Sequence, residues 1–258
     1  MKSIGLLILF CLVHAISFSQ ETLNKTDSKG MKEGRWVGKY PSGTLKYEGK
    51  FDRNKPVGKW KRYHENGKVK ALMSYRLNSD RVFALLFDEE GILYAKGVFD
   101  GTLRDSTWNF SKGDLVVRTE NYHMGKKEGK ATTYDKDGKV ISVKEWKNDL
   151  PDGISLEYYP SGKKRSEVSF VGGKRNGKAL FYDENGLKSM EGSYLDDLSD
   201  GGWNLYGKDG KFLYQIKYAK GDIVNKGELD SLQIKASKQI DKARGKIPEP
   251  TMNREVFP

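Results

Sequence analysis

Apolar and polar residues alternate at period two along most of the chain, in short runs that are separated by turn-forming residues. Leu45, Tyr47, Gly49 and Phe51 share one face of such a run, and residues 212–218 repeat the pattern near the other end. Alternation of this kind is typical of strands whose two faces meet different surroundings. The pattern therefore predicts an all-β protein built from short strands.

The runs recur with a nearly constant period. One aromatic residue returns every 24 residues, or after 23 at one step, and a turn glycine recurs with it. Asn, Asp or Ser often precedes the glycine and favours a tight turn, so each unit is predicted to be a hairpin of two strands. The register aromatics, which we expect to form a structural ladder, are Phe51, Tyr75, Phe99, Tyr122, Trp146, Phe170, Tyr194 and Tyr218. The turn glycines are Gly43, Gly67, Gly91, Gly113, Gly138, Gly162, Gly186 and Gly210.

Eight such units account for most of the chain. They start near residues 34, 58, 82, 105, 129, 153, 177 and 201, so the predicted repeat domain spans residues 34–221. A lead-in covers residues 20–33, and a tail covers residues 222–258.

The tail departs from the hairpin pattern. Its apolar residues lie near helical spacing, which predicts one amphipathic helix over about 228–244 and an extended end after it. We expect this helix to lie over the open edge of the last hairpin, because an uncovered edge invites aggregation; a partner-binding helix is the alternative. The residues that carry the spacing are Leu229, Leu232, Ala236, Ile240 and Ala243.

The units resemble the MORN-repeat family, and more closely its variant branch. The second unit reads GKWKRYHENG over 58–67 and the seventh reads GKALFYDENG over 177–186, close to the branch shorthand G-x-W-x-x-Y-x-x-N-G-K. An aromatic strand follows the shorthand in both cases. The short cell-wall and choline-binding repeats share some of this character, but the period and the Tyr-x-x-Asn-Gly-Lys core fit the MORN variant better.

The resemblance covers about residues 34–221 and implies a fold and a class of function. The implied fold is an elongated single-layer antiparallel sheet of about eight stacked β-hairpins, here with a short C-terminal helix. The implied function is binding rather than catalysis, and some bacterial relatives carry an antitoxin-type label. The fourth unit departs by being shortened, and other units lack the family's tryptophan and have Ala84, Ala131, Ser155 and Ala179 in its place.

The first residues have the pattern of an export signal. Met1-Lys2 is a short basic start, residues 6–16 are an apolar run too short to span a bilayer, and small residues precede Gln20. We expect a signal peptide over 1–19 and an exported chain in the periplasm, at the outer cell surface or outside the cell; a buried N-terminal element is the alternative. The remaining chain has no further run of membrane-spanning length.

Loss of this segment changes the chemistry available to the chain. The single cysteine, Cys11, lies within it, so disulfides, thiolate metal sites and cysteine nucleophiles are not expected in the mature protein. The net charge of +11 becomes +10, because the segment contains one lysine and no acidic residue. The basic residues are spread over nearly every unit. They indicate either a solvated surface or an attraction to anionic lipid or polymer.

No motif points to an enzyme, a metal, a cofactor or sequence-specific nucleic-acid binding. His64 lies in a turn and His123 follows a register aromatic, and neither has the spacing of metal ligands. Residues 135–138 resemble the start of a calcium loop, but the later acidic ligands are missing, so a hairpin turn accounts for them. We therefore expect no catalytic and no metal-binding residues.

The sequence thus predicts an exported, non-enzymatic scaffold or binding module that uses its sheet surface to hold a protein or a component of the cell envelope. The alternatives are an antitoxin or immunity protein that neutralises a toxin, and a binder of anionic lipid or polymer. The sequence does not specify the partner. Four tryptophans at one position of the first strand favour core packing and are also the first candidates for a binding face, together with neighbouring Lys and Arg. They are Trp36, Trp60, Trp108 and Trp203.

Overall fold

The computed structural model describes residues 22–76 and 78–243. The predicted signal peptide and the predicted extended end lie outside the described residues. Within them, the chain forms nineteen strands and one helix. The strands are β1 (Lys25–Thr26), β2 (Lys32–Lys39), β3 (Leu45–Asp52), β4 (Lys55–Tyr63), β5 (Val69–Tyr75), β6 (Arg81–Phe87), β7 (Leu93–Asp100), β8 (Leu103–Lys112), β9 (Leu115–His123), β10 (Lys126–Lys127), β11 (Gly129–Tyr134), β12 (Val140–Lys147), β13 (Leu150–Tyr158), β14 (Lys164–Val171), β15 (Lys174–Tyr182), β16 (Lys188–Leu195), β17 (Leu198–Tyr206), β18 (Phe212–Ala219) and β19 (Asp222–Ile223), and the helix is α1 (Lys226–Ala243).

Strands that follow one another along the chain pair antiparallel, so the sheet is a continuous meander. The one irregular step is β9, which pairs with both the short β10 and β11. The result is a single open antiparallel sheet of elongated, stacked hairpins, with the helix after it. This confirms the predicted all-β fold.

The turns explain why the chain reverses where it does. All eight turn glycines adopt positive φ, between 63° and 89°. In the turn of unit five, one carboxylate oxygen of Asp135 accepts hydrogen bonds from the backbone N–H groups of Asp137 and Lys139. Glycine and a local side-chain acceptor therefore close the hairpin together, as the turn pattern predicts.

A second kind of turn joins one hairpin to the next. Arg53 and Asn54 both have positive φ, as do Asn148 with Asp149. Two such residues in a row make the tight turn whose twist matches that of the flanking strands. The Oδ1 atom of Asn54 also accepts from the backbone N–H of Lys32 at 2.8 Å, which ties this turn to the start of the preceding hairpin. Asp149 and Asp197 make the same bond to Lys127 and Arg175.

Much of the core lies in one row of side chains at one position of each unit, here called the strand-one row, with further buried residues such as Ala71 and Ala95 outside it. Three of the four tryptophans in this row are buried, and Trp36 is half-buried. The members are Trp36, Trp60, Ala84, Trp108, Ala131, Ser155, Ala179 and Trp203.

Each tryptophan of this row after the first lies over a glycine of the preceding unit. A Cβ atom placed on Gly97 would lie 2.4 Å from the ring of Trp108, so no larger residue fits without displacing the indole. A backbone this close to a neighbouring ring leaves room for glycine but not for a larger side chain. The glycine and tryptophan partners are Gly49 with Trp60, Gly97 with Trp108, and Gly192 with Trp203.

Where the strand-one row contains a small residue, the residue facing it in the preceding unit is larger than glycine. Met73 pairs with Ala84 across β5 and β6, so the larger residue of the pair stands in the preceding unit. Lys144 with Ser155 and Val168 with Ala179 repeat this arrangement. Units three, six and seven, which lack the tryptophan, therefore face a larger residue where other units face a glycine.

Both ends of the sheet are closed by an asparagine. Asn24 donates its backbone N–H to the carbonyl oxygen of Arg35 and accepts from Val37 through Oδ1. At the other end, the amide of Asn225 accepts from Lys217 at 2.9 Å and donates to the carbonyl oxygen of Gln215 at 2.9 Å. Each side chain thus continues the hydrogen-bond ladder by one step, which limits the exposed edge.

The helix that the sequence predicts is present as α1. Its residues Leu232 and Ile234 are exposed, and the edge of β18 is covered by β19 and Asn225 rather than by the helix. Among residues 22–76 and 78–243, no helix is both long and apolar enough to cross a membrane.

Candidate binding surface

One face of the sheet, here called the aromatic face, carries the strand-one row and the register aromatics. The rings of Trp60, Trp108 and Trp203 are only 6%, 0% and 3% exposed. Each indole N–H donates to a backbone carbonyl oxygen of the preceding unit, at 2.9–3.1 Å. Trp36, at the first hairpin, is half-buried. Burial of three of these four rings favours their packing role; their use as a binding face stays a prediction.

The register aromatics are more accessible than the tryptophans beside them. Tyr122 is buried, and the other seven are half-buried. Phe99 packs edge-on against Trp108 with ring centroids 4.8 Å apart, and Tyr194 packs in the same way against Trp203 at 4.9 Å. One side of this aromatic ladder therefore rests on the closed core, while the other side has access to solvent.

Basic side chains lie over several rings of this ladder. Each stands four residues before a strand-one position, just ahead of the start of that unit, and 18 or 19 residues before the aromatic that it covers. Cations this close to a ring face are attracted by its quadrupole, by about 0.5–1 kcal/mol at exposed sites. The pairs are Lys32 over Phe51 at 5.0 Å, Arg104 over Tyr122 at 5.4 Å, Lys127 over Trp146 at 4.6 Å, and Arg175 over Tyr194 at 4.1 Å. These four pairs are here called the cation–aromatic row.

Unit four carries the densest part of this surface. The guanidinium of Arg104 lies 4.9 Å from the ring of Trp108 and 5.4 Å from that of Phe110. A second guanidinium, from Arg118, lies 4.7 Å from Phe110. Two cations and three aromatic rings therefore meet in the shortened unit.

A buried carboxylate holds this cluster together. Glu120 is 3% exposed and accepts a hydrogen bond from Nζ of Lys127 at 2.8 Å, with Arg118 at 3.3 Å and the hydroxyl of Tyr122 as further partners. Burial opposes ionisation of Glu120, but the bonds from Lys127 and Tyr122 and the charge of Arg118 outweigh it, so its pKa lies below the usual value. Burial and the bond to Glu120 raise the pKa of Tyr122.

A second cation of the row, Arg175, is also held in place. Arg175 donates through Nε to Asp197 at 3.1 Å and through Nη2 to the carbonyl oxygen of the same residue at 2.8 Å. A side chain that is fixed before binding loses less conformational freedom when a partner arrives. At Lys127 and Arg175 the row is therefore preorganised before a partner binds.

The histidines differ in their surroundings. His64 lies in a turn but is half-buried, and its Nε2 lies 2.9 Å from the carbonyl oxygen of Phe87 in the next unit. His123 is exposed, with Nδ1 at 3.6 Å from Asp105. In the part of the chain that the structure describes, no group of three or more His, Cys, Asp or Glu side chains could hold a metal ion.

Sequence reasoning proposed Lys and Arg near the tryptophans but did not find the row. The signal was present: a basic residue recurs four places before the strand-one position in units one, four, five and seven. Units two and six have Pro56 and Pro151 at this place, and unit eight has Ser199. The role of Glu120 had no such signal, because it depends on contacts between strands.

Comparison with known families agrees with this geometry. Four segments match the family model of the MORN repeat variant, residues 32–53, 56–76, 127–148 and 151–171, which are the hairpins of units one, two, five and six. No curated protein matches the chain. The family is in general a non-catalytic repeat module. These four hairpins therefore carry MORN repeats of the variant type, and they support the MORN-repeat family that the sequence predicts.

Proposed function

We propose that this chain is an exported binding module that holds a protein or another component of the cell envelope against its aromatic face. MORN repeats suggest a repeat-based binding module, which supports the general class. The observation that carries the finer proposal is the cation–aromatic row, because it places the same pair of groups on one face of four separate units.

The chemistry of the row indicates the kind of partner. Basic groups beside half-buried rings suit a surface that offers carboxylate or other acidic groups next to apolar ones. Lys127 and Arg175 are already paired with Glu120 and Asp197, so part of their charge is balanced within the chain. This balance favours a partner of mixed chemistry over a simple polyanion, for which binding would weaken steeply with added salt.

Site-specific photo-crosslinking in envelope extract tests which face is used. A crosslinking residue at Pro56 or Ser199 occupies the position of the row in a unit that has no cation there, so the row itself stays intact. Lys59 and Lys178, exposed on the opposite face, are the matched controls. We expect the same crosslinked product from both positions on the aromatic face and little from the controls. Equal products from both faces, or products from the opposite face alone, would contradict the proposal.

Export is a separate part of the proposal and rests on residues 1–19. N-terminal sequencing of the protein from the envelope fraction should begin at Gln20. Intact Met1 on cytosolic protein would contradict export and favour the antitoxin alternative. That alternative also predicts a toxin gene beside this one. No contact within the described residues favours that alternative.

A further inference from the structure

The junction between units two and three differs from the others. In the other seven units, the residue that starts the unit adopts positive φ, from 59° to 110°. In unit three this residue is Val82, and a β-branched side chain strongly disfavours that conformation. The other seven residues are Gly34, Gly58, Ser106, Gly129, Gly153, Gly177 and Gly201.

The change from glycine to valine alters the strand pairing. Between β3 and β4 the register shifts once, and pairing then continues to Asp52 with Lys55. Between β5 and β6 no shift occurs, and the last pair is Tyr75 with Val82. Six residues therefore lie between the last paired residues at this junction, where two suffice at the junction before it.

The longer connection is held from outside. The backbone N–H of Gly101 donates to the carbonyl oxygen of Asp80 at 3.0 Å, and the backbone N–H of Arg81 donates to Oγ of Ser79 at 3.2 Å. The guanidinium of Arg81 also reaches Asp105 at 3.0 Å. These bonds fix the connection against units three and four, away from the turn of units one and two.

An open cavity of about 650 Å³ lies between this connection and that turn. Val57, Val82 and the ring of Tyr75 supply its apolar lining. Acidic and basic side chains surround them, among them Asp52, Arg76 and Asp80. The volume falls within the range of about 300–1,000 Å³ that is typical of small-ligand sites.

We propose that this cavity binds a neutral carbohydrate, as a short oligosaccharide. Sugar hydroxyls both donate and accept hydrogen bonds, which matches a rim of carboxylates and guanidinium or ammonium groups. The C–H faces of a sugar ring match the apolar lining and the Tyr75 ring. An anion would meet Asp52 and Asp80, and a cation would meet Arg76 and its basic neighbours. A purely apolar ligand would remove water from charged groups without replacing their hydrogen bonds.

The cavity adjoins the partner surface, because Pro56 and Tyr75 line it, but none of the four cations of the cation–aromatic row does. Crosslinking from Ser199, which lies outside the cavity lining, therefore tests partner binding separately from carbohydrate binding.

Amide shifts in ¹⁵N-labelled full chain, titrated separately with maltotriose, cellotriose and triacetylchitotriose, test the proposal. At least one sugar should move the amides of Tyr75, Asn78 and Val82 along a saturable curve and leave units five to eight unchanged. Arg76→Ala and Asp80→Ala, both at exposed positions, should each weaken that binding at least tenfold. Tyr218→Leu, at the matching register position of unit eight, should bind normally, while Tyr75→Leu should not.

Three results would overturn the proposal. The first is the absence of a titratable shift at the cavity with all three sugars. The second is a titration that neither Arg76→Ala nor Asp80→Ala weakens. The third is a stronger response of the same amides to inorganic phosphate, which would make the cavity an anion site.

Discussion

The aromatic face carries two neighbouring rows, and the aromatic rings in the two rows have different surroundings. In the strand-one row, Trp108 is fully buried, lies over a glycine and donates its N–H to a carbonyl oxygen. In the register ladder, Tyr194 is half-buried, with Trp203 against its edge and the guanidinium of Arg175 over its face. The first row is closed by the chain itself, whereas the second can still accept a partner.

The difference depends on what stands opposite each ring. A glycine has no side chain, so the indole of the next unit packs directly against its backbone and is shielded from solvent there. A long basic side chain covers a ring only partly and brings a charge with it. We therefore expect substitutions in the closed row to affect stability first, and substitutions in the cation–aromatic row to affect binding first.

Removal of a closed ring should have the largest effect. Trp108→Ala should lower the free energy of unfolding by about 3–5 kcal/mol, because a fully buried ring leaves a cavity. Chemical denaturation measures this loss. Trp36→Ala is the matched control and should cost clearly less, since its ring is half-buried at the first hairpin. Equal losses in the two variants would show that burial of Trp108 adds nothing to its contribution to stability.

Filling the space under a ring should have the next largest effect. Gly97→Ala should destabilise by about 1–3 kcal/mol, because the added methyl group overlaps Trp108. The φ of Gly97 is not in the left-handed region, so the cost reports packing rather than backbone strain. Gly227→Ala, with open space around the new methyl group, is the control and should cause no loss.

The junction between units two and three suggests how to rescue that damage. It pairs Met73 with Ala84, so Trp108→Ala combined with Gly97→Met should imitate it. The double variant should be more stable than the sum of the two single changes predicts, by at least about 1 kcal/mol. If the two losses of stability simply add, the side-chain sizes at positions 97 and 108 are not coupled.

The buried carboxylate of unit four gives a smaller effect that depends on pH. Glu120→Gln should cost about 1–3 kcal/mol near neutral pH, because Lys127 and Arg118 lose their charged partner. The folded pKa of Glu120 lies below its usual value of 4.5, so its stabilisation is complete above that value. It is lost as the pH falls through the lowered folded pKa. The difference in free energy of unfolding between wild type and Glu120→Gln should therefore shrink as the pH falls from 4.5 through the folded pKa.

Urea unfolding at neutral pH and at steps below pH 5 measures the gap. Glu167→Gln removes a more exposed carboxylate, 29% accessible, whose partner is Lys164 at 2.6 Å, and it should show a smaller gap throughout. A gap for Glu120→Gln that stays constant down to the lowest pH would contradict its lowered pKa.

Much of this fold follows from sequence because the period is visible. Turn glycines and alternating strands specify each hairpin locally, and stacking then follows from the repeat. Gly49 and Trp60 are both visible in the sequence, but that the indole packs on this glycine becomes clear only when the register between β3 and β4 is known. Val82 shows the opposite case, since one residue changes the strand pairing and its effect appears only in three dimensions.

The binding surface was less predictable for the same reason. The sequence predicted that the tryptophans pack in the core and offered a binding face as the alternative, but their burial depends on the glycine in the preceding unit. The importance of Glu120 depends on Lys127, Arg118 and Tyr122 meeting across neighbouring strands. The predicted position of α1 over the edge of the last hairpin does not agree with the structure, because apolar spacing does not say which surface a helix meets.

The most direct test of the account separates binding from stability with two variants of equal charge change. Lys32→Gln combined with Arg175→Gln removes two cations of the row, and Lys59→Gln combined with Lys178→Gln removes two from the opposite face. Crosslinking from Ser199 in envelope extract should fall at least tenfold in the first variant and stay within twofold in the second. Denaturation should show losses of no more than about 1 kcal/mol per substitution in both. Equal crosslinking by the two variants would contradict the claim that the cation–aromatic row is the working surface.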